Sequence, residues 1–303
     1  MVVLDHIDYA AQSPVTDPGE LSGRLDAVPG DLASLQRTAR QLVFHYRADG
    51  DFAENNIAAE RIAEIDTRYA DRMFGRLFEL HDVPLGTERL PHQRLVGCCR
   101  DFTVLFLAMA RHRGVPARAR VGFATYFVAG WNVDHEIAEV WDAAEQHWRL
   151  VDPELLDGHL DPSDGAAIDP LDVPADRFIV APRAWMACRA GEADPARFVV
   201  DPGLEIPQTR GWPYLVHNLL HDLAALNKQE MVLWDTWGLA ERDELAAAHL
   251  DVLDRAAGIM VSGMAAADQL RELDSREELG VPATVTSHSP AADAPLLVAV
   301  ERS

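Results

Sequence analysis

The period of the apolar residues changes near residue 115, and that change limits the folds open to the chain. From about Cys99 to His112, Phe102, Leu105, Phe106 and Met109 recur at the spacing of one helical face. Gly114, Val115 and Pro116 follow, with glycine just past the helix end and proline soon after, the usual order of a stop. Ala117 to Val128 is then rich in strand formers. His135 to Trp141 alternates as His, Glu, Ile, Ala, Glu, Val, Trp, which predicts a strand. Residues 142–146 read as a hairpin turn, and His147 to Asp152 as a second short strand that Pro153 ends. The centre of the chain is thus a helix followed by strands.

The flanks are more helical. Residues 1–30 carry Pro14, Pro18, Gly19, Gly23 and Pro29 and read as an irregular segment with one short strand at most. Asp31 is a good N-cap for a helix bearing Leu32, Leu35, Ala39, Leu42, Val43 and Tyr46. A second helical pattern carries Ile62, Ile65, Tyr69, Met73, Leu77 and Leu80, ended by Pro84 and Gly86. Residues 153–182 are rich in Asp, Pro and Gly and predict long loops. Helical spacing returns over Trp212–Leu226 and about Glu241–Met260. The stretch from Gly280 reads as a loosely held tail with one strand at most. There is no internal repeat.

Composition narrows the function. The 303 residues carry 49 Asp and Glu against 27 Lys and Arg, a formal charge of −22, and Lys228 is the sole lysine. Such a surface repels phosphate backbones, so nucleic-acid binding is not expected. The start, Met1 to Asp8, has no basic segment and no long apolar run, so it does not read as a secretory signal. No apolar run is long enough to span a membrane. Of three cysteines, Cys98 and Cys99 are adjacent, which is no disulfide framework. Together these features point to a reducing cytoplasm.

A cysteine is a nucleophile only as thiolate, which a helix N-terminus favours. Cys99 falls where the central helix should begin. A partner able to move a proton near neutral pH must be imidazole, and His135 opens a strand downstream. A third group must hold the other ring nitrogen. Asp152 ends the neighbouring strand, within reach of His135 if the hairpin register allows.

These residues resemble a family. Gly97-Cys98-Cys99-Arg100-Asp101-Phe102, then Gly114-Val115-Pro116-Ala117-Arg118, is similar to the core of transglutaminase-like proteins, papain-like cysteine enzymes. Asp134-His135-Glu136-Ile137-Ala138-Glu139-Val140-Trp141 resembles the family's histidine strand, and Trp148-Arg149-Leu150-Val151-Asp152-Pro153 its aspartate strand. The resemblance covers about residues 90–155. It implies an α+β fold, with a nucleophile helix packed on an antiparallel sheet and extra C-terminal helices. With the helical patterns of the flanks, the chain reads as a core over 1–160, with helices in 31–80 and catalytic blocks in 97–153, and a mainly helical extension over 161–303, outside the resemblance, that packs on the core and could cover the cleft. The resemblance assigns the nucleophile to Cys99, because Arg-Asp-Phe follows directly, and gives Cys98 the variable position. His135 and Asp152 complete a triad acting on a peptide, amide or acyl-thioester substrate by hydrolysis or by transfer to an amine. No cofactor or metal is implied. A non-catalytic scaffold that kept the fold is the competing class.

Other features carry less. An acyl intermediate needs an oxyanion donor, for which the Cys99 N–H is the default and Gln93, six residues upstream, a candidate. Arg100 and Asp101 read as helix-start electrostatics and loop anchors. His217 and His221, four apart, match a zinc spacing, but Asn218 stands where a zinc-protease helix has Glu. Trp212, Tyr214, Trp234 and Trp237 read as core, Cys188 as packing, and Arg118 and Arg120 as surface salt-bridge partners.

Overall fold

The structure, a computed structural model, describes residues 7–242, 244–261 and 267–300. The first six residues, on which part of the N-terminal reading rests, lie outside it. The chain runs through α1 (Leu32–Leu42), β1 (Val43–His45), α2 (Ala70–Leu80), β2 (Leu95–Gly97) and α3 (Cys99–His112). It continues as β3 (Ala117–Ala124), β4 (Asn132–Asp142), β5 (His147–Val151), β6 (Phe178–Val180), α4 (Ala181–Arg189), β7 (Phe198–Val199) and α5 (Gly211–Leu226). The last elements are β8 (Asp235–Thr236), α6 (Ala247–Val261), α7 (Ala267–Asp274), β9 (Thr284–Ser287) and β10 (Leu296–Ala299). This is the expected α+β arrangement.

The main sheet has the order β5-β4-β3-β6, antiparallel throughout, and β7 adds to β4 in parallel. It therefore draws strands from both sides of residue 160. Helix α3 is central: every residue from Cys99 to Arg111 is buried. Its apolar side chains pack with those of α1 and α2 and with Ala117, Ala119 and Val121 of β3. A second apolar cluster joins α4, α5, α6 and α7 around Trp185 and Trp237. Asp222 of α5 accepts from the Val121 N–H, a β3 donor that lies past the end of β6, and holds Arg120 in a two-pronged pair at 2.8 and 2.9 Å.

Asp31 caps α1 as expected, accepting from the Ser34 N–H. The helical pattern over 62–80 divides in two, a 3₁₀ stretch (Ala59–Asp66) and α2. The break has a cause: the carbonyls of Thr67 and Arg68 turn away to bind the Arg100 guanidinium. Three expectations are corrected. The N-terminal segment forms a 3₁₀ helix over Gly19–Ala27, with no strand among its described residues. Helix α4 begins at the end of the stretch read as loop, with Pro182 in its first turn, where a missing N–H costs nothing. The tail from Gly280 supplies two strands, β9 and β10, because Val285 is buried against the second cluster and β8 pairs alongside. No helix among the described residues is long and apolar enough to cross a membrane.

Gly97 is required by crowding. A Cβ there would lie 2.6 Å from Asp101 Oδ2 and 2.9 Å from Val43 Cγ1. That carboxylate is fixed, since Oδ2 accepts from the Cys98 N–H at 2.8 Å and so caps α3. Gly97→Ala should cost about 1–3 kcal/mol by overpacking. Thermal unfolding would show a lower midpoint; an unchanged one would mean that the cap and β1 yield freely.

Candidate active site

Cys99 is the first residue of α3, 6% exposed, so its side chain sits at the positive end of the helix. His135 lies on β4 and Asp152 one residue past β5. The hairpin register pairs Ala138 with Val151, which sets Asp152 diagonal to His135 rather than opposite it. The diagonal suffices: His135 Nε2 lies 2.8 Å from Asp152 Oδ2. The Tyr126 hydroxyl donates to the same oxygen at 2.7 Å, and Oδ1 accepts from the N–H groups of Glu154 and Leu155. Asp152 is fully buried, and every group facing it is a donor. Burial pushes its pKa up, but His135, Tyr126 and the Glu154 N–H outweigh that and hold it below the usual carboxylate range.

Asp152 accepts, so Nε2 of His135 carries the proton when the ring is neutral, and Nδ1 is left with a lone pair. Phe127 and Phe178 meet the ring edge-on, with centroids 4.9 and 6.2 Å away, and limit its rotation. Nδ1 shares its surroundings with two groups. Cys99 Sγ, a ring nitrogen of His135 and a carboxylate oxygen of Glu154 lie within 4.8 Å of one another, and Glu154 Oε2 is 3.9 Å from Nδ1. Glu154 and Tyr126 were not anticipated. Nothing in their sequence surroundings marks them, because each reaches the site from a loop.

The charge state departs from the simple helix-end expectation. The hydrogen bond to Cys98 holds the proton on Cys99, and burial, Cys98, Asp134 and Glu154 add to it, so the thiol is pushed well above its ordinary value. Burial disfavours charge on His135, but Asp152, Glu154 and Asp134 together raise its pKa. The free site therefore keeps the thiol proton on Cys99 at neutral pH. Iodoacetamide labelling of Cys99 should be slow at pH 7 and should climb through the alkaline range. Glu154→Gln removes one carboxylate facing both groups, so labelling at pH 7 should rise several-fold and the profile should move to lower pH. Labelling rates followed by peptide mass spectrometry would check this; an unshifted profile would remove Glu154 from the site's electrostatics.

Residues 230–237 cover the cysteines from the side of the C-terminal helices. Leu233 is buried against Cys98 and Cys99, with Tyr46 and Trp234 alongside. The Glu230 carbonyl accepts from Arg100, Trp234 Nε1 donates to Asp66, and Arg68 forks onto Asp235. The remaining candidates have other tasks. Gln93 Oε1 accepts from the Leu90 N–H and closes a 3₁₀ turn. His217 and His221 stack with centroids 4.1 Å apart, and their nitrogens go to Asn218 and to the Asp235 carbonyl. Arg120 is buried and not a surface partner, whereas Arg118 pairs with Glu139 at 2.7 Å. Trp237 and Tyr214 are core; Trp212 is 40% exposed.

Residues 86–153 match the family model of the transglutaminase-like superfamily. The chain carries a transglutaminase-like core. The matched segment contains α3, β3, β4 and β5, and hence Cys99, His135 and Asp152. The match supports a cysteine enzyme in general terms. No curated protein matches the chain. A solved structure from Cytophaga hutchinsonii, described as a candidate cysteine protease, is similar at 14% identity with a TM-score of 0.34. It covers 59% of this chain and 48% of its own length, so the chain spans about half of it, a likeness too slight to carry weight.

Proposed function

We propose that this transglutaminase-like protein catalyses cysteine-dependent acyl transfer through Cys99, His135 and Asp152, on a peptide, amide or acyl-thioester substrate. The observation that carries the reading is the commitment of His135 Nε2 to Asp152, with a ring nitrogen of His135 and the Cys99 sulfur within 4.8 Å of each other, so that Nδ1 is the nitrogen with a lone pair to spare. The thiol proton passes to Nδ1 as sulfur bonds to the carbonyl carbon. The oxyanion lies near the first turn of α3, whose N–H groups have no partner within the helix. Collapse breaks the bond to the leaving amine or thiol, which takes the proton from His135, and leaves an acyl-enzyme. Water then releases an acid, or an amine forms a new amide.

Because the free thiol holds its proton, substrate entry has a second role in this reading. It displaces Leu233 and Cys98 from the sulfur and frees the thiol to turn to Nδ1. The test is covalent trapping. A thioester or activated-ester probe, incubated with the whole protein between pH 7 and 9, should add one acyl group on Cys99, visible by intact mass and peptide mapping. Added amine competes with water for release and separates transferase from hydrolase. A folded protein that gains no adduct on Cys99 would favour the non-catalytic scaffold.

A further inference from the structure

Three unlike donors meet at one point in this fold: a thiol, an imidazole nitrogen and a carboxylate, all within 4.8 Å of one another. They arise separately. Cys99 opens α3, His135 lies on β4, and Glu154 follows the β5 strand by way of Pro153. We propose that Cys99, His135 and Glu154 bind a divalent cation of the zinc type, and that the bound cation silences Cys99.

The donor set selects the metal class. Sulfur and imidazole favour borderline and soft ions, and one carboxylate is too little for calcium or magnesium. Zinc bonds of 2.0–2.3 Å imply donor separations of roughly 3.3–3.7 Å around a tetrahedron. Glu154 Oε2 and His135 Nδ1 stand at 3.9 Å and no two of the three donors are farther apart than 4.8 Å, so closing the site shortens the separations by about 1.5 Å at most. Three protein ligands leave a fourth position for water.

The support behind the ligands is already in place. A metal-binding histidine is normally oriented by a carboxylate on its other nitrogen. Here Asp152 holds Nε2, and Tyr126 and two backbone N–H groups hold Asp152. The tautomer that readies Nδ1 for a thiol proton also readies it for a metal. Asp152 orients His135 through Nε2, and Glu154 lies on the Nδ1 side, so its carboxylate is available as a ligand. On binding, the thiol loses its proton to solvent and the sulfur bonds to the cation, so it can no longer attack a carbonyl.

This inference is independent of the acyl chemistry, which is tested by trapping on metal-free protein. Cobalt(II) is the probe: added to the metal-free full-length protein, it should give a thiolate-to-cobalt band in the near ultraviolet that saturates at one equivalent. Cys99→Ala should lose the band, and Glu154→Gln should weaken binding at least about tenfold, in line with losses at ligand-supporting positions. One equivalent of zinc should protect Cys99 from alkylation in wild type, whereas magnesium and calcium should not. No band, a band that persists in Cys99→Ala, or zinc that leaves Cys99 open to alkylation would each overturn the site.

Discussion

Asp152→Asn is expected to slow Cys99-dependent acyl transfer by about 10³- to 10⁴-fold, the scale seen when the orienting acid of a catalytic triad becomes an amide. The reason is local. Four donors face this side chain: His135 Nε2 and Tyr126 on Oδ2, and the N–H groups of Glu154 and Leu155 on Oδ1. An amide NH₂ must meet one of those pairs. Turned toward His135, it forces the proton onto Nδ1 and removes the acceptor for the thiol proton. Turned toward the backbone, it opposes two N–H groups and costs about 1–3 kcal/mol of stability. Acyl-enzyme formation with the trapping probe, measured beside Cys99→Ala and with unfolding midpoints for each, reads both effects. Cys99→Ala should form no adduct and keep its midpoint. An Asp152→Asn protein within about threefold of wild type would remove Asp152 from the mechanism.

The central blocks were legible because local rules agreed there. Helix stop, strand alternation and the Cys-His-Asp order each mark residues 97–153; the helix forms at its expected bounds, whereas β3 ends at Ala124, short of Val128, and β4 begins at Asn132, ahead of His135. What stayed hidden depends on contacts distant in sequence. The diagonal placement of Asp152 follows from a hairpin register that a pattern of alternation does not fix. The raised thiol of Cys99 follows from Cys98, Asp134 and Glu154 acting together, which outweighs the helix end that the sequence reveals. Leu233 over the cysteines comes from a segment more than 130 residues downstream. Arg120 looked like a surface residue because alternation cannot show that α5 would cover its edge with Asp222.

Arg100→Ala should be the most destabilising substitution near the site, at about 3–5 kcal/mol, the usual cost of stripping the partner from buried charge. Its guanidinium is 1% exposed and donates to the carbonyls of Thr67, Arg68 and Glu230 and to Asp101. Two of those carbonyls mark the break before α2, one ties down the segment that covers Cys99, and Asp101 caps α3. Arg100 also offsets buried acids. Burial pushes Asp101 and Glu136 above the usual carboxylate range, and Arg100 pulls each of them back. Without it both pKa values rise further, so ionising these acids costs the variant more than the wild type, and the loss of stability is greater at neutral than at acid pH. Lysine is a poor substitute, since one ammonium cannot fork to three carbonyls. The Glu230 carbonyl then loses a donor, and the segment that carries Leu233 over the sulfur is held less firmly. Urea unfolding gives the stability, and iodoacetamide labelling under native conditions gives the cover. A folded Arg100→Lys protein should label Cys99 faster than wild type; equal rates would mean that Trp234 and Asp235 hold the cover in place without Arg100.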